Sequence, residues 1–229
     1  MKILLINPNT TVSMTERAAE AARLVARPET QIIAANPTVG PESIQGYHDV
    51  AMCIPGLLEQ IAQHDDVDAV VIACFDDTGL DAARCQVDIP VIGIGEAAFH
   101  AASMLSCRFS VITTLNRSVP GIEMNLMRYG LAARCARVRG TQIPVLDLDE
   151  NDGAVFQRLC NELHRALEED GAEAIVLGCA GMADLIERLS RVFDVPFIDG
   201  IACATTFAEA FVAAGLKTSK LGGYAQPVQ

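Results

Sequence analysis

Apolar residues in this chain fall into two kinds of segment that alternate from one end to the other. Short unbroken runs, such as KILLIN at the start, TQIIAAN, DAVVIAC, IPVIGI (89–94), RFSVITT, RVRGTQIPVL and AEAIVLGC, predict strands. DAVVIAC is continuously apolar rather than alternating, which is the pattern of a strand covered on both faces of a parallel sheet. Between them lie longer segments with apolar residues at helical spacing: TVSMTERAAEAARLVA, VAMCIPGLLEQIAQ, GEAAFHAASML, VPGIEMNLMRYG and DGAVFQRLCNELHRALEED. Pro55 is expected to interrupt the first turns of the second of these. PTVGPESIQGYHDV, rich in turn residues, reads as a loop, and the tail LKTSKLGGYAQPVQ as a surface segment. Strand and helix in alternation predict an α/β fold with mainly parallel sheets.

The pattern also repeats. DAVVIACFDDTGLDAARCQVDIPVIGI aligns with EAIVLGCAGMADLIERLSRVFDVPFIDG, setting Asp68 on Glu173, Cys74 on Cys179, Leu80 on Leu185 and, after one inserted residue, Pro90 on Pro196. The openings KILLINPNTTVSMTE and FSVITTLNRSVPGIE correspond more loosely as strand, polar loop and helix. Two pseudo-symmetric Rossmann-like domains follow: residues 1–97 with 205–229, and 98–204. Ligands of open α/β sheets bind beyond the strands' C-terminal ends, so a site is expected in the cleft between the domains.

Composition narrows the partners. In 229 residues, 51% hydrophobic and 20% charged is an ordinary globular balance. A net charge of −12 argues against nucleic acid and anionic membrane surfaces, leaving a small molecule as the expected partner. The apolar N-terminal run is too short for a secretory signal, and no stretch approaches the length of a spanning helix, so a cytoplasmic protein is expected. A homo-oligomer is expected, with the SIQGYHDV loop and the apolar helices as contact candidates.

Eight cysteines, at 53, 74, 85, 107, 135, 160, 179 and 203, stand singly without a C-x-x-C pair, which supports neither a zinc site nor a disulfide framework. Six of them read as small buried hydrophobes or inert thiols. Cys74 and Cys179 differ, because each ends a strand at the mouth of the expected cleft and the repeat makes them symmetry mates. Two thiols on opposite sides of one carbon suit a two-base racemisation, in which one removes a proton from one face and the other returns one to the opposite face. A free cysteine has a pKa of about 8.5, so the thiolate form is expected to draw on the N-termini of the following helices, TGLDAAR and MADLIERL. No metal or organic cofactor is needed if the substrate's own carbonyl holds the charge as an enolate.

At this point the chain resembles the Asp/Glu racemase superfamily, and within it the hydantoin and allantoin racemases. The resemblance rests on INPNTT, SIQGYHDVA, ACFDDTGL, RFSVITTLNRSVP, GCAGM and IDG, spread over essentially the whole chain. It implies two pseudo-symmetric α/β domains and a cofactor-free 1,1-proton transfer by Cys74 and Cys179. Glutamate racemases usually follow their first cysteine with Asn-Thr, where this chain has Phe75-Asp76, and arylmalonate decarboxylases keep only the second cysteine. The expected substrate is therefore a 5-monosubstituted hydantoin, with allantoin the nearest alternative, then an amino acid, then ligand binding without catalysis. Candidates to stabilise the enolate are the amides of Ala180 and Gly181 with Thr113 and Thr114, while Asn7 and Asn9 are candidates to hold the ring's imide and amide groups. Tyr47 is a candidate to close over the substrate and Asp76 to polarise it. Asp77 is expected to cap the following helix.

Two other features lead elsewhere. GIGEAA (93–98) matches part of a dinucleotide fingerprint, but the acidic ribose partner expected some 20 residues on is replaced by SVITTLNRS, and close helix–strand packing accounts for the glycines. The histidines at 48, 64, 100 and 164 have no metal-like spacing.

Overall fold

The computed structural model describes residues 1–144, 153–179 and 185–227. They form two four-stranded parallel sheets flanked by helices. The first contains β1 (Lys2–Ile6), β2 (Gln31–Ala35), β3 (Ala69–Ile72) and β4 (Val91–Gly93), in the order β2-β1-β3-β4. The second contains β5 (Phe109–Thr113), β6 (Cys135–Gly140), β7 (Ala174–Leu177) and β8 (Phe197–Ile198), in the order β6-β5-β7-β8. The helices are α1 (Val12–Val25), α2 (Tyr47–Gln63), α3 (Leu80–Gln86), α4 (Ile94–Leu105), α5 (Val119–Arg128), α6 (Gly153–Glu168), α7 (Ile186–Ser190) and α8 (Gly200–Ala213). Every residue of β3, β5 and β7 is buried, which is why these segments read as unbroken apolar runs. In α1 the buried positions are Thr15, Ala18, Ala19 and Ala22, one stripe at helical spacing.

The internal repeat is carried down to single hydrogen bonds. Ile3 to Ile6 pair with Ala69 to Ile72, and Phe109 to Ile112 pair with Ala174 to Leu177 in the same register. The Ala73 amide donates to the Ile6 carbonyl at 2.8 Å, and the Gly178 amide donates to the Ile112 carbonyl at the same distance. Asp68 accepts from the Lys2 amide at 2.7 Å; its counterpart Glu173 accepts from the amides of Cys107 at 2.6 Å and Arg108 at 3.4 Å. A core cluster spans the two sheets, with Phe99 of α4 stacked on Phe109 of β5 at 6.3 Å and Ile201, Ala204 and Ala208 of α8 beside them. The helix α8 packs on both α1 and α4, so the last helix returns to the first sheet.

Two local expectations change, and the tail keeps its expected place on the surface. The helix α2 begins at Tyr47 inside the segment read as loop, and it runs through Pro55 without a break. The strand in RVRGTQIPVL ends at Gly140; Thr141 to Pro144 are irregular, and the stretch from 145 lies outside the described residues. The tail is fastened rather than loose: Thr218 bonds to the carbonyls of Asp88 and Ile89, and the Tyr224 hydroxyl to Asp81 at 3.1 Å. No helix among the described residues is long and apolar enough to cross a membrane.

Candidate active site

The two parallel sheets end their strands at one cleft of about 450 Å³, and both Cys74 and Cys179 line it. Each follows a buried strand end by two residues, through Ala73 on one side and Gly178 on the other. Asn7, Asn9, Asp76, Thr113 and Thr114 share the same walls, together with Met14, Ile44, Phe75 and Ser118. Strand register produces this convergence: the residues just past β1, β3, β5 and β7 are the ones that can face a common opening.

The polar side chains differ in what they have left to offer. The Asn7 amide Nδ2 is engaged by Asn9 Oδ1 at 2.8 Å and Thr15 Oγ1 at 3.0 Å, so it braces the loop after β1. Asn9 uses Oδ1 to accept from Asn7 and from the Thr11 amide at 2.9 Å, which is local turn capping. Among the described residues its Nδ2 meets only the Met14 sulfur, at 3.8 Å, and it can serve as a donor to a ligand. On the other side Thr113 Oγ1 donates to the Gly178 carbonyl at 3.0 Å, tying β5 to the residue before Cys179. Neither Thr114 nor Ser118 makes a side-chain hydrogen bond to another described residue, although both are buried against the cleft. Ala180 and Gly181 lie outside the described residues.

Tyr47 stands elsewhere. As the first residue of α2 it is 67% exposed and lines an adjoining cavity of about 710 Å³ with Arg117, Gly121 and Asn125. The residue from that loop on the cleft wall is Ile44. Asp76 and Ser118 border both spaces.

The electrostatics around Cys74 overturn one expectation. The Sγ lies 3.3 Å from Thr78 Oγ1, and α3 does not begin until Leu80, beyond the intervening turn. Burial, followed by the charge of Asp76, pushes this thiol well above its ordinary range; the Thr78 hydroxyl and the Asp76 amide oppose the rise without cancelling it. These surroundings favour the thiol of Cys74 over its thiolate. Asp76 is itself pushed up to about 6 by burial, and its carboxylate accepts no hydrogen bond among the described residues.

Asp77 has a different task from the one expected. Its carboxylate accepts from the amides of Gly95 at 3.0 Å and Glu96 at 2.8 Å, so it caps α4 rather than α3, and it accepts the Tyr129 hydroxyl at 2.7 Å. Burial pushes it up to about 7, with these bonds acting in the opposite direction. The glycines of GIGEAA belong to this contact. A Cβ on Gly93 would stand 2.0 Å from Asp77 Oδ1, and one on Gly95 would stand 2.4 Å from the Phe75 carbonyl oxygen. The amides a nucleotide phosphate would use at that helix start are occupied by the protein's own carboxylate.

Among the lining residues, Met14, Ile44, Phe75 and Ser118 were not anticipated. Ser118 had a usable signal, since it lies in the polar loop after β5 that also holds Thr113 and Thr114. Ile44 had none, because its approach depends on how the loop before α2 folds over the cleft, whereas Met14 sits in the first turn of α1 and Phe75 follows Cys74 directly.

Comparison with known proteins agrees with this architecture. The profile of the Asp/Glu/Hydantoin racemase family matches residues 3–208. A hydantoin racemase of Rhizobium meliloti is 52% identical over 229 residues, covering 99% of this chain and 95% of that protein. Among solved structures, an allantoin racemase from Klebsiella pneumoniae superposes with a TM-score of 0.96 at 45% identity, covering 100% of this chain and 94% of its own. The allantoin racemase of Pseudomonas fluorescens gives 0.97 at 40% identity, with coverages of 100% and 98%. With the duplicated sheets, the paired strand-end thiols and these matches together, the chain belongs to the Asp/Glu/hydantoin racemase family.

Proposed function

We propose that the chain is a cofactor-independent, two-base racemase of 5-monosubstituted hydantoins, with Cys74 and Cys179 as the acid/base pair. The observation that carries this reading is that both thiols line one cleft, from symmetry-related strand ends. The thiolate of one cysteine takes the C5 proton, and the C–H electron pair moves into the ring to form an enolate on the adjacent carbonyl. The thiol of the other then delivers its proton to the opposite face of C5. Each turnover leaves the two sulfurs with exchanged protonation states, so the reverse reaction starts from the state the forward reaction leaves. Cys74, whose surroundings favour the thiol, is poised as the acid. Asn9 Nδ2, Thr114 and Ser118 are the uncommitted polar groups that can meet the ring and its developing oxyanion.

The relatives' names support the substrate class, and the allantoin racemases among the solved structures favour allantoin as the second reading. Free thiol chemistry suits a reducing compartment, so the cytoplasm is the inferred location. Exposed Met104 and Leu105 at the end of α4 and Phe211 on α8 suit a homo-oligomer.

The test is polarimetry on enantiopure hydantoins, allantoin included, with Cys74→Ser and Cys179→Ser beside the parent. Each replacement is expected to abolish inversion with the fold retained. Near-normal inversion by either variant overturns the reading.

A further inference from the structure

We propose that Tyr129 and Asn125 are positioning residues that reach from the second half of the molecule to set the turn carrying Cys74. The inference rests on the two-thiol reading above. Tyr129 is the residue that ends α5, and Asn125 lies one turn earlier on it. This helix packs on β6, in the second sheet. The Tyr129 hydroxyl donates to Asp77 Oδ2 at 2.7 Å, and Asn125 Nδ2 donates to the Asp76 carbonyl at 3.0 Å. Both bonds therefore land on the residues that follow the first thiol.

The turn they grip is not one the chain adopts unaided. Asp77 has φ +50, in the left-handed region, which a non-glycine residue keeps only where its surroundings enforce it. Its amide donates to the Cys74 carbonyl at 3.0 Å, so the conformation of Asp77 and the orientation of Cys74 are one geometric unit. Three donors hold the carboxylate: two amides at the start of α4, and the Tyr129 hydroxyl. The tyrosine is held in turn, because Arg128 donates to its oxygen at 3.1 Å while also donating to Asp81 at 3.0 Å. With that lone pair occupied, the hydroxyl proton is directed at Asp77. The amides at the start of α4 anchor the turn to the first half, and Tyr129 and Asn125 of the second half anchor it from beside the adjoining cavity. The second pair thereby registers Cys74 against the wall that carries Thr113, Thr114 and Cys179.

A positioning role has a signature that loss of folding does not. If Cys74 is misplaced, Cys179 still removes a proton from the enantiomer it faces and returns a solvent-derived one to the same side. Inversion then falls while same-face exchange continues. The experiment incubates each enantiomer of 5-benzylhydantoin with Tyr129→Phe in deuterated water. Chiral chromatography with mass detection then counts inverted product and deuterium in the unconverted enantiomer. Tyr129→Phe keeps the ring that sits 6.3 Å from Phe99 and removes only the hydroxyl. Inversion is expected to fall roughly tenfold to a hundredfold, the scale of a small displacement at a reacting centre, with exchange in one enantiomer continuing near the parent rate. Asn125→Ala is the second variant and is expected to shift the same ratio.

Unchanged inversion, or inversion and exchange falling in step, overturns the proposal. Loss of the fold in both variants also overturns it, because a positioning pair is dispensable for folding. The Cys74→Ser parent control separates the two levels: if it retains inversion, the two-thiol reading fails whatever Tyr129→Phe does.

Discussion

Replacing Gly95 by alanine tests how finely the Cys74 turn is placed, because the obstacle it creates is backbone. An added Cβ would lie 2.4 Å from the Phe75 carbonyl oxygen and 2.8 Å from Asp77 Oδ2. Ordinary contact begins near 3.4 Å, so the carbonyl must recede by about 1 Å or α4 must shift by as much. The carboxylate can rotate, at the loss of its bonds to Gly95 and Glu96; the carbonyl of Phe75 cannot, since it adjoins Cys74 and its ring packs edge-on to Phe99 at 5.3 Å. A displacement of about 1 Å at a reacting group costs on the order of 10²-fold in rate, or about 2.7 kcal/mol of barrier. Overpacking of this kind also removes about 1–3 kcal/mol of stability. The assay is initial-rate polarimetry on one hydantoin with thermal unfolding alongside. Gly153→Ala serves as the control, since its Cβ would meet nothing within 4 Å. The expected result is a Gly95→Ala protein that folds, binds with little change in KM and turns over about a hundredfold more slowly. A folded variant with parental kcat would refute the claim that the Cys74 turn has no room to move.

Two further outcomes follow from the side chains around the cleft. Asp76→Asn removes a negative charge that raises the Cys74 thiol, so the thiol falls toward its ordinary value and, for the enantiomer on which Cys74 is the acid, the alkaline limb of kcat/KM against pH moves to lower pH; a shift to higher pH, or none, contradicts the assignment. Asn9→Asp keeps the acceptor for Thr11 and loses the free Nδ2 donor, so kcat/KM is expected to fall about 10²-fold, as when one oxyanion donor is removed, with little change in melting temperature.

The fold was legible because parallel strands buried on both faces have to be continuously apolar, and four of the segments around Cys74 and Cys179 are nearly that. The paired thiols were legible for a separate reason: a repeat aligned over its strands transfers register, and register decides which residues stand at the strand ends. Cys74, Cys179, Asn7 and Thr113 are all placed by that rule. Side chains located by loop folding escaped it. Tyr47 faces the adjoining cavity because α2 starts at that residue, and nothing in SIQGYHDV announces a helix start before Val50. Asp77 looked like a cap for the helix next in sequence, since capping is local; it reaches α4 because Gly93 and Gly95 leave space for its carboxylate. Close helix–strand packing is part of the reason for those glycines, and the Asp77 carboxylate and Phe75 carbonyl, from a distant segment, supply the rest.

In the proposed mechanism, symmetry is what would present two thiols to one carbon, but a racemase substrate is not symmetric about that carbon, and the two halves depart from each other accordingly. Ala73 precedes one cysteine and Gly178 the other; an added methyl at 178 would press on Val111, the Ile112 carbonyl and Thr113 at 3.0–3.1 Å. The first half supplies carboxamides, Asn7 and Asn9, where the second supplies hydroxyls, Thr113 and Thr114. A hydantoin has an imide on one side of the ring and a hydrogen with a variable substituent on C5, so it needs an orienting wall as well as two opposed sulfurs. The shared strand register brings both cysteines to one cleft, and in the proposed mechanism the unshared loop residues would fix which way round the ring lies there. Exchanging polar residues between the loops after β1 and β5 should therefore disturb binding of both enantiomers before it disturbs proton transfer, seen as a rise in KM ahead of any fall in kcat.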